Sequence, residues 1–303
     1  MVFSRYLCLL ACLPGVFSAS LVDFSAARGD NPSMLGVRNM QAAREDGSTS
    51  VNTDELYIKL GQDPKGVPAL HYHRDKGYIR AEYHLKDKFT ADKTYYFGYQ
   101  FSLADIEQSL MIWQFKEYAA NNPTDGGANI PLSLEFKSGQ LHLQYQSSYT
   151  TKREHQWSQT LKTNTVYSFG IVINTGSPGW VELYFNGKKQ TFSTSGTTRL
   201  TANTFPGRAE PKFGIYRGEA IKIDSYVYRI QMGTSIADIK EAAGLGEAPT
   251  TTTTSLRTTT KATTTTGPTT TCAWEGHCAG TKCTTHDDCS DPWYCVNGIC
   301  GSE

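Results

Sequence analysis

Between Glu55 and Met232, apolar and polar residues alternate in one short run after another, and this period of two restricts the fold more than any other feature. The runs are Glu55–Leu60, Tyr78–Leu85, Tyr95–Leu103, Leu110–Phe115, Leu132–Phe136, Leu141–Gln146, Tyr167–Asn174, Trp180–Phe185, Lys212–Tyr216 and Ile221–Met232. Successive side chains on a strand point to opposite faces, so each run offers one apolar face for burial. Turn formers stand between runs, at 137–140 (Lys-Ser-Gly-Gln), 177–179 (Ser-Pro-Gly) and Asn186-Gly187. Only Ser235 to Leu245 reads as helix, with Ser235 as its cap and Gly244 and Gly246 at its end. Many strands with little helix predict an all-β domain, a β-jelly roll or concanavalin-like sandwich of two antiparallel sheets.

Three other segments set the boundaries. Residues 1–19 carry Arg5 and then a mostly apolar stretch from Tyr6 to Phe17, ending in small residues. That run is shorter than a membrane span needs, so it reads as a signal peptide and predicts a secreted, extracellular protein without membrane attachment. Residues 247–271 are nearly all threonine, with nothing to bury, and read as an extended linker carrying O-glycans. Of eight cysteines, Cys8 and Cys12 belong to the signal peptide and the rest fall between Cys272 and Cys300. Their spacing and the oxidising compartment predict a small disulfide-rich C-terminal module at 272–303 rather than a zinc site. The β domain, residues 20–246, has no cysteine and is long enough to be held by its own core.

Charge argues against nucleic acid as a partner, since 29 Lys and Arg balance 29 Asp and Glu. Within the strands, however, polar residues are grouped. Alternation puts Arg80 and Glu82 on one side of their strand, Gln114 and Lys116 on one side of theirs, and Lys212, Gly214 and Tyr216 together on a third. If these strands share a sheet, one face carries cations, an amide and a phenol, with Gly214 leaving room beside Tyr216. Such a face suits an anionic polymer.

These segments resemble motifs of the alginate-lyase-like jelly rolls: Arg80-x-Glu82, a Gln-x-His segment met here as Gln114-Phe115-Lys116, and Lys212-x-Gly214-x-Tyr216. Within that group the layout is most similar to the fungal polysaccharide lyases of family 20, the glucuronan lyases, over most of Leu21 to Gly233. The resemblance implies cleavage of a uronic-acid polymer by β-elimination. Gln114 would donate to the uronate carboxylate and stabilise an enolate-like transition state. Tyr216 matches the family position that does acid work and, in some members, base work. Arg80, Lys116, Lys212 and Glu82 would contact substrate. Lys116 stands where the alginate lyases have a histidine, which makes His73 the candidate for the missing base or carboxylate partner, with His71 and His142 as alternatives. The chemistry requires no cofactor; a structural calcium at Asp224 is the candidate metal.

Structural readings stand beside these. Arg80 and Glu82 also suit an internal ion pair, Asp224 a strand-end cap, and Trp274, Trp293 and Tyr294 either a surface for a second polysaccharide or a minimal core. A jelly-roll glycoside hydrolase needs paired carboxylates, and Leu134-Glu135-Phe136-Lys137 supplies one. A lectin-like or wall protein would keep the cationic face and not depend on Tyr216. The expected state is a monomer.

Overall fold

The computed structural model describes residues 20–43, 46–86, 89–117, 130–148, 151–205 and 208–246, and in the tail 282, 294–296 and 299–301. The expected signal peptide, threonine linker and most of the cysteine-rich module lie outside the described residues. The chain divides into two units, Met1–Thr250 and Thr251–Glu303.

In chain order the strands of the first unit are β1 (Val22–Ser25), β2 (Val37–Gln41), β3 (Leu56–Gln62), β4 (Pro68–Arg74), β5 (Arg80–His84), β6 (Thr94–Leu103), β7 (Met111–Glu117) and β8 (Leu132–Lys137). They continue as β9 (Gln140–Tyr145), β10 (Glu154–Gln159), β11 (Tyr167–Asn174), β12 (Gly179–Phe185), β13 (Lys188–Lys189), β14 (Leu200–Ala202), β15 (Ala209–Tyr216) and β16 (Ile223–Gly233). One sheet has nine strands in the order β13-β12-β11-β6-β16-β4-β3, with β1 on β16 and β14 on β12; the other has seven in the order β10-β9-β8-β7-β15-β5-β2. All pairings are antiparallel, as a jelly-roll sandwich requires.

The sheets bury their apolar faces against each other. Phe97 on β6 meets Trp113 and Phe115 on β7 at ring separations of 6.1 and 5.9 Å, Tyr99 meets Phe213 at 5.4 Å, and Tyr72 meets Tyr83 at 6.3 Å. Removing this aromatic and aliphatic surface from water is what holds the domain together, at about 25 cal/mol per Å². The turn residues act as the sequence indicates. Ser138 and Gly139 (φ 50° and 77°) close β8 onto β9, and Asn186 and Gly187 (φ 46° and 76°) close β12 onto β13, the doubly left-handed pair that matches strand twist.

The helix expected over Ser235–Leu245 does not form. The segment makes one 3-10 turn, Ile236–Ile239, and then further turns. Asp238 accepts from the Thr234 and Ser235 backbone at 2.9 and 2.8 Å, and Gly244 (φ +68°) ends the segment. It is packed too closely for a full helix: a Cβ on Gly98 of β6 would stand 2.8 Å from the Ala242 side chain, and one on Gly170 of β11 3.0 Å from Ala243. Tertiary fit against two side-chain-free sites overrides the helical spacing.

In the tail unit, β17 (Tyr294–Val296) and β18 (Ile299–Gly301) pair as a hairpin, and Cys300 is buried and disulfide-bonded.

Candidate active site

The three motif strands are neighbours. β15 lies between β7 and β5, with Lys212 opposite both Gln114 and His84, Gly214 opposite Glu82, and Tyr216 opposite Arg80. Arg80, Glu82, Gln114, Lys116, Lys212 and Tyr216 therefore share the face of the seven-stranded sheet that points away from the core. β8 and β9 extend it with Ser133, Glu135, His142 and Gln144.

Two irregularities shape its centre. The β15–β7 register shifts between Phe213 and Tyr216, and the β7–β8 register shifts between Met111 and Trp113. Gly214, at φ +141°, makes the first bulge possible: a Cβ there would stand 2.3 Å from the Ala81 carbonyl oxygen and 2.8 Å from Glu82 Cα. The glycine thus serves close approach of the β5 backbone. Bulges of this kind re-aim a side chain at the edge of a site.

The re-aimed side chain is Tyr216. Its ring lies under the Arg80 guanidinium at 4.5 Å and near that of Arg217 at 5.2 Å. The turn after it is pinned from the sandwich interior by Arg74 on β4. The fully buried guanidinium donates to the carbonyls of Tyr78 at 2.7 Å and Gly218 at 2.8 Å, and also to that of Arg217. Burial lowers the Arg74 pKa to about 10. A charge this deep needs partners, and these carbonyls supply them.

Gln114 is buried at 1% exposure and donates from Nε2 to Glu82 Oε1 at 2.5 Å. An amide nitrogen has two hydrogens, so this bond orients the group while leaving one donor for a ligand. Glu82, expected among the substrate contacts, is corrected to an orienting role: it is 2% exposed and engaged with Gln114, with Arg80 Nη1 3.7 Å away.

A cavity of about 460 Å³ opens on this face. Arg38, Arg80, Lys86, Lys116, Arg208 and Lys212 line it beside Val37, Asn39, Ser48 and His84, and no carboxylate does among the described residues. Burial and then the neighbouring Lys116 and Arg80 charges depress Lys212 to about 8, against the pull of Glu82 and Glu210. Lys116 is also lowered, by burial and by Arg80.

His73 does not join this group. It lies on β4 in the other sheet, on the outer side of the nine strands, with its Nδ1 2.6 Å from Asp224 Oδ1. His71 lies beside it. The inward residues of β4 are Leu70, Tyr72 and Arg74, so both histidines point away from the sandwich interior and from the cavity. His73 is therefore corrected from its role as base. Asp224 is in β16, and the donors around it are the nitrogens of His71, His73 and Lys222 rather than the oxygen set calcium takes. His142 is on the site face, two strands from Gln114, with Nε2 3.1 Å from the Lys137 carbonyl.

The histidine that does line the cavity is His84. Its Nε2 lies 2.5 Å from Glu210 Oε2, and burial together with the Lys212 charge holds its pKa at about 4. Period-two alternation from Arg80 and Glu82 reaches His84 as the next residue on the same side, a signal present in the sequence.

A family model for polysaccharide lyase matches residues 26–236. The chain belongs to this family. The lyase domain has the fold of alginate lyase AlyC3, with 11% identity and a TM-score of 0.51 over 69% of this chain and 95% of that one. It is also similar to the endo-β-1,4-glucuronan lyase of the fungus Trichoderma reesei, with 16% identity and a TM-score of 0.48 over 67% and 97%. Endo-chitosanase C of Aspergillus oryzae is 56% identical over 32 residues, which are 11% of this chain and only 8% of the chitosanase.

Proposed function

We propose that the lyase domain cleaves a 4-linked uronic-acid polymer, glucuronan before others, by β-elimination on the outer face of the seven-stranded sheet. The observation that carries this reading is the cavity lined by six Lys and Arg side chains, two of which, Lys212 and Arg80, pair across the strands with Gln114 and Tyr216. A polyuronate presents one carboxylate per sugar, and a cationic wall attracts it. At the reacting sugar, the free hydrogen of Gln114 Nε2 bonds the carboxylate, and Arg80, Lys116 and Lys212 neutralise it. Charge moving into that carboxylate as C5–H breaks is then stabilised.

Tyr216 completes the step. In glucuronate the C5 hydrogen and the O4 leaving group lie on the same face of the ring. One phenolate there takes the C5 proton, the electron pair forms the C4–C5 double bond, and the resulting phenol returns the proton to O4 as the C4–O4 bond breaks. This route needs no histidine at the position of Lys116 and fits a site from which His73 is removed. Guluronate, whose C5 hydrogen and O4 lie on opposite faces, suits a single phenol less well. That stereochemistry, which mannuronate shares with glucuronate, disfavours guluronate, and the sequence motifs support glucuronan.

The same reading makes the protein a secreted monomer with an anionic polysaccharide as substrate, and the cysteine-rich tail a contact for a second polysaccharide. Residues 1–19 support export, and among the described residues no helix is long and apolar enough to cross a membrane. The test is ultraviolet absorbance during incubation with a panel of uronans that includes glucuronan and alginate. Absorbance from the conjugated double bond should rise with glucuronan. New reducing ends without absorbance would identify a hydrolase, and binding without cleavage a lectin.

A further inference from the structure

The outer face of the nine-stranded sheet carries a cluster that the elimination chemistry does not use. His71 and His73 are two residues apart on β4, hence on the same side, and Asp224 lies opposite His73 on the adjacent β16. His71 Nε2 lies 2.7 Å and His73 Nδ1 2.6 Å from the same oxygen, Asp224 Oδ1. The three donor atoms lie within 4.8 Å of one another.

Each donor group is held from behind. His73 Nε2 faces Asp75 Oδ1 at 3.4 Å, and His71 Nδ1 faces the Tyr57 hydroxyl at 3.5 Å. Lys222 Nζ takes the other oxygen of Asp224 at 2.8 Å, and the Asp224 backbone N–H donates to Asp105 Oδ2 at 3.1 Å. The Tyr57 ring stacks on His73 at 4.7 Å, and that of Tyr226 on His71 at 4.5 Å. A carboxylate or hydroxyl on the far nitrogen is the arrangement that fixes tautomer and ring direction in metal-binding histidines.

We propose that His71, His73 and Asp224 bind a divalent d-block cation of the zinc class, with water as fourth ligand. Two imidazole nitrogens and one carboxylate oxygen suit zinc, copper or nickel, whereas calcium takes six to eight oxygens. At metal–ligand distances of about 2.0–2.2 Å, tetrahedral donors stand about 3.3–3.5 Å apart. Entry of the ion therefore moves Asp224 Oδ1 back from the imidazoles by about 0.7 Å and draws together the two ring nitrogens, which stand within 4.8 Å of each other. Lys222, with its side chain 60% exposed, is free to follow the carboxylate. Both rings bind neutral, and the hydrogen of each moves to its far nitrogen, where Tyr57 and Asp75 stand as acceptors. The side chains of His71 and His73 are 20% and 13% exposed, so the ion enters from solvent. Once bound, it staples β4 to β16.

The test uses the full-length protein, stripped with chelator and titrated calorimetrically with Zn²⁺, Ni²⁺, Cu²⁺ and Ca²⁺. We expect one equivalent of a d-block ion at micromolar or tighter affinity, a rise in Tm of several degrees, and no comparable binding of Ca²⁺. His73→Gln and, separately, His71→Gln should weaken binding at least tenfold while elimination activity on glucuronan persists. Anomalous diffraction from zinc-soaked crystals of the unsubstituted protein should place the ion between the three side chains, whatever the variants do to folding. Absence of a stoichiometric d-block ion, equal affinity for Ca²⁺, or a bound ion located elsewhere would overturn the proposal.

Discussion

The outer faces of the two sheets are both polar, but they treat their polar atoms differently. On the nine-stranded sheet Glu182 is met by Arg199 at 2.7 Å and Lys189 at 2.8 Å. Ser102, Tyr228 and Asp63 form a chain with links of 2.8 and 2.7 Å. On the seven-stranded sheet, Arg80 Nε, Gln114 Oε1, Ser133 Oγ, His142 Nδ1 and Gln144 Oε1 are buried with no hydrogen-bond partner among the described residues. Each such atom costs about 1–3 kcal/mol. A face that concentrates them retains bonding capacity for a ligand. The first face is organised for stability, and the second is organised to bind and react.

Substitutions on the two faces should therefore behave differently. The largest effect is expected for Tyr216→Phe, where kcat on glucuronan should fall by about 10²–10⁴-fold with polymer affinity retained. Appreciable turnover in that variant would break the contrast at its centre. Gln114→Leu keeps the volume but removes the carboxylate donor, and steady-state kinetics should show a loss of about 10²–10³-fold in kcat. A smaller effect, on KM, is expected from pH. Lys212 titrates at about 8, so its positive charge is present below that pH and lost above it. KM should rise as pH increases through this value, and Lys212→Gln should abolish the inflection.

Arg74→Met removes the donors that hold the turn after Tyr216. Thermal unfolding should show a loss of about 1–3 kcal/mol, accompanied by lower kcat with KM little changed. The smallest change belongs to the opposite face. Lys189→Ala breaks one partly exposed ion pair and should alter stability by no more than about 0.5 kcal/mol, with activity unchanged.

The motif strands were legible because their inward residues are apolar and their outward ones polar. In β15, Phe213 and Ile215 go to the core while Lys212 and Tyr216 go to the site. β4 was not legible for a physical reason. Arg74 takes an inward position to bond loop carbonyls, and His71 and His73 face outward, so the alternation of Pro68–Arg74 does not look like a strand. That concealed strand carries the histidine expected at the site. It lies in the other sheet, and which sheet a strand joins depends on pairing partners far away in the chain. His84 is legible in the sequence. It completes the alternation Arg80, Glu82, His84, but its burial and its bond to Glu210 come from β15, which no local pattern reveals. The bulge at Gly214 is likewise a property of a strand pair and not of the Lys-x-Gly-x-Tyr spacing itself.

The most direct test of the account is a crystal structure of Tyr216→Phe with a glucuronan oligosaccharide bound. The account predicts the sugar chain across the outer face of the seven-stranded sheet, one carboxylate within hydrogen-bonding distance of Gln114 Nε2, and C5 of that sugar next to the Phe ring. An oligosaccharide on the nine-stranded sheet, or in the cavity with its carboxylates turned away from Gln114 and the surrounding lysines and arginines, would contradict it.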